Sequence, residues 1–266
     1  MIKRLLLILI ASSLFLTACD DDDDATPDAP QLPNLGVLQL PTAAFAPADD
    51  AGQGWTAAAG LINNSNSAFG AVQLTFSQML APAANVNPSY SNDVFTWEYP
   101  VSLTAFGGAS FDLEFQANVS NPDNVTVELR ATGTFEGLPL DNFLLLTGSM
   151  NSTATEVQLV VDNFQTPGGE IRYDIDWQYA IVDGALAGMQ ATQILLNPGI
   201  DSNVENVFGF GISGSTATFN GRIGAVGEDP QVGGEVVWDV NTGAGSITIP
   251  GMGQLCWDAD RNDVAC

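Results

Sequence analysis

Residues 256–266, CWDADRNDVAC, bring together a compact group of side-chain oxygens. Asp258, Asp260 and Asn262 form the pattern D-x-D-x-N, with which calcium-binding loops place alternate side chains around the ion. Asp263 occupies the place where an EF-type loop needs glycine, and no bidentate glutamate follows it. The spacing therefore leaves two interpretations open, a calcium site or a charged turn, and we expect the turn.

The two cysteines that bound this segment, Cys256 and Cys266, predict a disulfide if the chain is exported, as its N-terminal residues indicate below. A disulfide across so short a loop stabilises a fold by about 2–3 kcal/mol on the chain-entropy estimate. It would also hold in place a terminus that would otherwise fray.

Most catalytic arrangements are missing, because the sequence has no histidine and its only lysine is Lys3. It therefore has no Ser-His-Asp triad, no Ser-x-x-Lys pair, no imidazole metal ligand and no G-x-x-x-x-G-K-[ST] phosphate loop. Asp174 and Asp176 could form the carboxylate pair of a glycoside hydrolase, but alternation places both on the solvated face of a strand. We expect a protein that is not an enzyme and has no cofactor, apart from the calcium hypothesis.

The remaining cysteine, Cys19, follows a short basic segment and a dozen mostly apolar residues, Leu5 to Leu16. Such a run is too short to span a membrane and is typical of a signal peptide, here residues 1–18. Its end, LTAC, resembles the lipobox of bacterial lipoproteins. The resemblance implies cleavage before Cys19, acylation of that cysteine, and attachment of the protein to a membrane of the bacterial cell envelope. The domain would then lie in the periplasm or at the cell surface, and the choice of membrane stays open.

Charge and proline content define the next segment. Residues 19–47 contain five consecutive aspartates and five spaced prolines, which predict an extended tether.

Cleavage before Cys19 would leave four arginines against 31 acidic residues, a net charge of −27. Nucleic acids are therefore excluded as partners, because phosphate binding needs clustered lysine or arginine. The membrane is the expected partner through the anchor, and a protein partner cannot be named.

Alternation of apolar and polar residues dominates positions 94–250. In EIRYDIDWQYAIV, residues 170–182, every second side chain from Ile171 to Ile181 is apolar and the others are mostly charged. This period predicts half-buried antiparallel strands, and frequent Gly, Pro, Asn and Asp turns predict a meander of about 10 or 11 of them. Residues 48–266 are thus expected to form a single mainly β domain, a barrel or a curved half-barrel. Residues 48–82 are expected to form one or two short helices, interrupted at the sequence NNSNS.

Alternation also places seven aromatic residues on the apolar face of this sheet: Trp97, Phe111, Phe115, Phe135, Tyr173, Trp177 and Trp238. They predict either a packed core or the lining of a pocket for an apolar, lipid-like ligand. The order of elements and the strand count resemble the lipoprotein carrier and receptor family of the Lol pathway. That resemblance implies a curved sheet of 11 strands with helices at its opening. Two functions follow: a non-catalytic envelope lipoprotein that binds an apolar ligand, or a tethered structural or interaction module with an acidic surface.

Overall fold

A single antiparallel sheet dominates the computed structural model, which describes residues 26–266 except 39, 41, 47, 104–108, 136–137, 166–171, 197–203 and 226–231. The strands are β1 Ser89–Ser91, β2 Val94–Leu103, β3 Ala109–Asn118, β4 Val125–Phe135, β5 Leu138–Met150, β6 Glu156–Gln165, β7 Arg172–Val182, β8 Ala185–Leu196, β9 Val204–Ser213, β10 Thr216–Ala225, β11 Val232–Asp239, β12 Gly245–Ile249, β13 Gly253–Trp257 and β14 Asp263–Val264. The helix α1 spans Gln53–Leu80, and short 3-10 helices span Leu35–Val37, Thr42–Phe45 and Ala81–Asn85.

Each strand pairs with its neighbours in sequence, from β1 to β14, so the topology is a simple meander. Within residues 94–250 the described strands number eleven, β2 to β12. The helix α1 contacts β2 near one end of this order and β10 to β14 near the other, which requires the sheet to curve around it. Among the described strands no ladder joins β1 to β14, so the sheet is open. The prediction of a mainly β meander in a curved half-barrel is confirmed.

The alternating pattern sets which face of the sheet is buried. In β7, Ile175, Trp177 and Tyr179 are at most 4 % exposed, whereas Asp176 is half-buried and Gln178 is exposed on the opposite face. Successive side chains of a strand point to opposite faces, so this period creates one apolar and one polar surface. The apolar, concave face packs against α1, and the polar face points outward.

The helix α1 runs without interruption through residues 63–67, where the sequence NNSNS had predicted a break. Asparagine and serine weaken isolated helices because their side chains compete for backbone groups. Here Asn63 donates to the carbonyl of Phe45 and Asn66 accepts from the N–H of Leu40, at 3.3 Å each. These asparagines therefore join the helix to the preceding segment, and packing overrides propensity. In the described part of the chain, no helix combines the length and hydrophobicity that crossing a membrane requires.

The segment before α1 corrects the predicted tether of residues 19–47. Leu35, Leu38, Leu40 and Phe45 are at most 3 % exposed and belong to the hydrophobic core. Burying each such side chain stabilises the fold by roughly 1.5–3 kcal/mol, which outweighs the extended preference that spaced prolines confer. The prediction of a tether is therefore wrong from Leu35 onward. For residues 19–25, which lie outside the described residues, it stays a prediction.

Candidate functional site

The predicted aromatic face lies in the interior of the domain. Trp97, Phe111, Phe115, Trp177 and Trp238 are between 0 and 6 % exposed. The two other members of the set, Phe135 in β4 and Tyr173 in β7, have side chains outside the described part of the structure. Sequence alternation thus placed the five described aromatics on the correct face.

The helix α1 and the segment before it cover this face. Phe69 and Phe76 of α1 contact Trp177 edge-on, with ring centroids 5.5 Å apart in both pairs. Phe45 contacts Trp238 in the same manner at 5.1 Å. Edge-to-face aromatic pairs at such distances are typical of a packed core. The described aromatics therefore pack against protein, as a core does, and are not exposed as the lining of an open pocket.

Several polar atoms in this interior lack a hydrogen-bond partner. They are the hydroxyls of Tyr99 and Tyr179, the indole N–H of Trp177, and the hydroxyls of Ser65 and Ser77. Burial raises the pKa of Tyr99 and of Tyr179 far above the ordinary tyrosine value, so both phenols stay protonated and can donate. A buried unpaired polar group costs about 1–3 kcal/mol, so these atoms mark the interior positions where a polar ligand atom would be stabilised.

Two open concavities of the described structure lie on the outer, polar face of the sheet. One groove of about 490 Å³ crosses β5 to β8, and a second of about 710 Å³ crosses β8 to β12. They share Gln190. Strand register aligns one residue from each of eight consecutive strands along both grooves, a set that we call the amide row: Ser149, Gln158, Gln178, Gln190, Gly209, Asn220, Glu235 and Thr248.

The amide row offers hydrogen bonds over a long, shallow surface. Eight strands about 4.8 Å apart give it a length of roughly 34 Å. Each amide side chain carries both a donor and an acceptor, so the row can bind neutral polar groups in either orientation. Sequence reasoning missed the row, because Gln158, Gln178 and Gln190 become neighbours only once the register of three strands is known.

The residues of the calcium hypothesis form a self-contained turn. Oδ1 of Asp258 accepts hydrogen bonds from the backbone N–H groups of Asp260 and Asn262, at 2.9 Å each. An oxygen that already accepts two N–H groups is poorly placed to bind a cation as well. Within the described residues no three histidine, cysteine, aspartate or glutamate side chains lie close enough to hold a metal ion. The structure also pairs Cys256 with Cys266, whose Cα atoms are 5.3 Å apart, at the base of this segment.

The C-terminal loop, residues 256–266, has a structural contact that the sequence did not indicate. The carboxylate of Asp263 accepts hydrogen bonds from the N–H groups of Gln53 and Gly54, both at 2.9 Å. These are the first two residues of α1, whose own cap residue, Gly52, has no side chain with which to accept them. The guanidinium of Arg261 also lies 5.0 Å from the ring of Trp55, as in a cation–π contact. The loop therefore caps the helix.

Two further predicted sites are the carboxylate pair, Asp174 and Asp176, and the lipidation site, Cys19. Asp174 and Asp176 lie on the outer face of β7, where Asp176 accepts from the side-chain amide of Gln158 at 3.4 Å. Cys19 lies outside the described residues.

Comparison of the chain with protein-family models, with curated proteins and with solved structures finds no significant match.

Proposed function

We propose that this chain is a non-catalytic lipoprotein of the bacterial cell envelope, anchored through Cys19, whose β domain is an interaction module. The observation that carries the proposal is the arrangement of the two faces. The helix α1 packs against the aromatic concave face, whereas both described grooves open on the outer face. A carrier of apolar ligands needs the reverse arrangement, an accessible apolar cavity.

The outer face suits a polar partner that does not itself carry clustered negative charge. The chain without its signal peptide would carry a net charge of −27, which repels anionic ligands. Along the amide row the only ionisable side chain is Glu235, and the others are amides, hydroxyls or glycine. Uncharged groups rich in hydrogen bonds therefore match this surface best.

Metabolic labelling with palmitate tests the anchor. The parent chain should be labelled and Cys19→Ala should not be, whereas Cys256→Ala should keep the label because its sulfur is not the acylated one. Equal labelling of the Cys19→Ala variant and the parent would refute the lipoprotein assignment.

A photoreactive amino acid placed at single positions of the anchored chain, in cells, tests the interaction surface. We expect one discrete cross-linked species from positions 178 and 190. The matched control is Gln116, a glutamine on the polar face of β3 that lies outside the lining of both grooves. Identical cross-linking from all three positions would refute a role of the amide row.

The unpaired interior polar atoms favour a second candidate, a lipid-like ligand that the half-barrel holds and whose polar group bonds to them. The stability of the variants Tyr99→Phe and Tyr179→Phe distinguishes a packed interior from an interior that holds a ligand. If the interior is fully packed, each variant removes an unpaired buried hydroxyl and should unfold at equal or higher urea concentration. If a ligand accepts these hydroxyls, both variants should lose it and become less stable.

A further inference from the structure

We infer that the lipid surface holding the anchor faces one particular end of the half-barrel, the end formed by the turns after β5, β7, β9 and β11, which we call the odd-turn rim. This inference rests on the proposed lipid anchor and adds the surface of the domain that meets the membrane. It follows from where the tether joins the domain, from how long it is, and from the topology of the meander.

The tether joins the domain beside the turn between β5 and β6. The backbone N–H of Gln31 donates to the carbonyl of Ser152 in that turn, at 3.0 Å. Pro30 and Pro33 are buried on either side of Gln31, whereas residues 26–29 are exposed. The path of the chain toward Cys19 therefore starts at the odd-turn rim.

The remaining tether is short compared with the domain. Eleven residues lie between Cys19 and Gln31, and this part of the chain spans at most about 43 Å when fully extended. A flexible chain of that length has a root-mean-square span of only about 20 Å. Strands of 10 and 13 residues, such as β3 and β5, are about 33–43 Å long. The opposite end of the domain thus lies beyond the usual reach of the anchor.

In an antiparallel meander, the turns after odd-numbered and even-numbered strands lie at opposite ends of the sheet. The rim next to Ser152 therefore includes Val182, Ile212 and Val240, which are 59, 43 and 45 % exposed. Met252, which is 76 % exposed, lies in the turn between β12 and β13 at the opposite end. These three exposed side chains therefore mark the end of the domain that is nearest the anchor.

The charge of the odd-turn rim determines which lipid headgroups it can approach. Asp183 and Asp239 lie next to Val182 and Val240, and Asp123 lies in the turn after β3 at the same end. An acidic rim is repelled by anionic headgroups within about one Debye length. The partner is accordingly a bilayer surface of zwitterionic lipids.

Fluorescence quenching on vesicles tests the orientation. The full lipidated chain, with Val182→Cys or Met252→Cys carrying a fluorophore, is bound to phosphatidylcholine vesicles that contain a lipid with a quenching headgroup. We expect a larger loss of fluorescence from position 182 than from position 252. Equal losses, or a larger loss at position 252, would overturn the inference. If the chain carries no lipid, neither variant binds vesicles, and the failure is then of the anchor itself.

A longer tether provides the second variant. Inserting 20 glycine and serine residues between Ala25 and Thr26 raises the root-mean-square span to about 31 Å, close to the length of the strands. The difference in quenching between positions 182 and 252 should then become smaller. A difference that does not change would show that tether length does not set the orientation, and would also overturn the inference.

Discussion

Replacing Asp263 by alanine should lower the free energy of unfolding by about 1–2 kcal/mol, because it removes the cap of α1. The carboxylate of Asp263 accepts the N–H groups of Gln53 and Gly54, which have no acceptor within the helix. Loss of a helix cap costs about 0.5–2 kcal/mol in proteins, and charged acceptors lie in the upper part of that range. The hydrogen bond to Gln53 is exposed to water, which keeps the expected loss of stability below about 2 kcal/mol.

Two matched variants define the contact. A Cβ atom at Gly52 would lie 2.7 Å from the backbone nitrogen of Asp263, too close for the loop to keep its place. Gly52→Ala should therefore be at least as destabilising as Asp263→Ala. Asp260→Ala changes an exposed aspartate in the same loop that does not bond α1, and it should cost less than about 0.5 kcal/mol.

Urea unfolding of the Cys19→Ala chain, followed by circular dichroism, measures these changes as shifts of the midpoint at constant slope. Reducing the disulfide should make the difference in the free energy of unfolding between Asp263→Ala and the parent smaller, since the disulfide closes the loop that carries Asp263. If Asp263→Ala proves as stable as Asp260→Ala, the capping role is wrong.

Three further predictions concern the faces, the metal and the pH dependence. Trp177→Asp should unfold the domain or destabilise it by several kcal/mol, because it puts a charge against Phe69 and Phe76, whereas Asp176→Asn should change stability by under about 0.5 kcal/mol. Similar losses in both would contradict the register of β7. Millimolar calcium should raise the melting temperature no more than magnesium does at equal ionic strength. Reduction of the disulfide should lower the melting temperature. A calcium-specific rise that is lost in the double variant Asp258→Asn/Asp260→Asn would establish the metal site. The backbone N–H of Thr242, 2.8 Å away, lowers the pKa of Asp239, so this aspartate stabilises the fold above its ordinary pKa of 3.8. Asp239→Asn should therefore destabilise the protein at neutral pH. The difference in the free energy of unfolding between this variant and the parent should become smaller as the pH falls below 3.8. A difference that does not change with pH would contradict this.

The sheet could be predicted from the sequence because its signal is local. Alternation in residues 170–182 placed Trp177 inside and Asp176 outside, and short turns implied that consecutive strands pair. Pro100 has no N–H to donate, and a proline within a strand is typical of the edge of a sheet. In the structure β1 pairs only with residues 94–96 of β2, so β2 itself is the edge at Pro100.

The features that escaped prediction depend on distant residues. The bond between Asp263 and Gln53 joins positions 210 apart, and no local pattern marks either residue. The continuity of α1 depends on acceptors and donors near Leu40 and Phe45, in a segment whose prolines predicted a tether. The amide row needs the register of eight strands at once. In each case tertiary contacts determine the arrangement of the residues. Local propensity either does not predict that arrangement or favours a different one.

Native mass spectrometry of the intact chain, purified from its membrane in mild detergent, tests the central claim most directly. We predict a polypeptide that begins at Cys19, carries covalent acyl groups and retains no further ligand on gentle activation. A chain with an uncleaved signal peptide and no acyl mass would contradict the anchor. A stoichiometric lipid released without breaking a covalent bond would contradict the packed interior and establish the domain as a carrier.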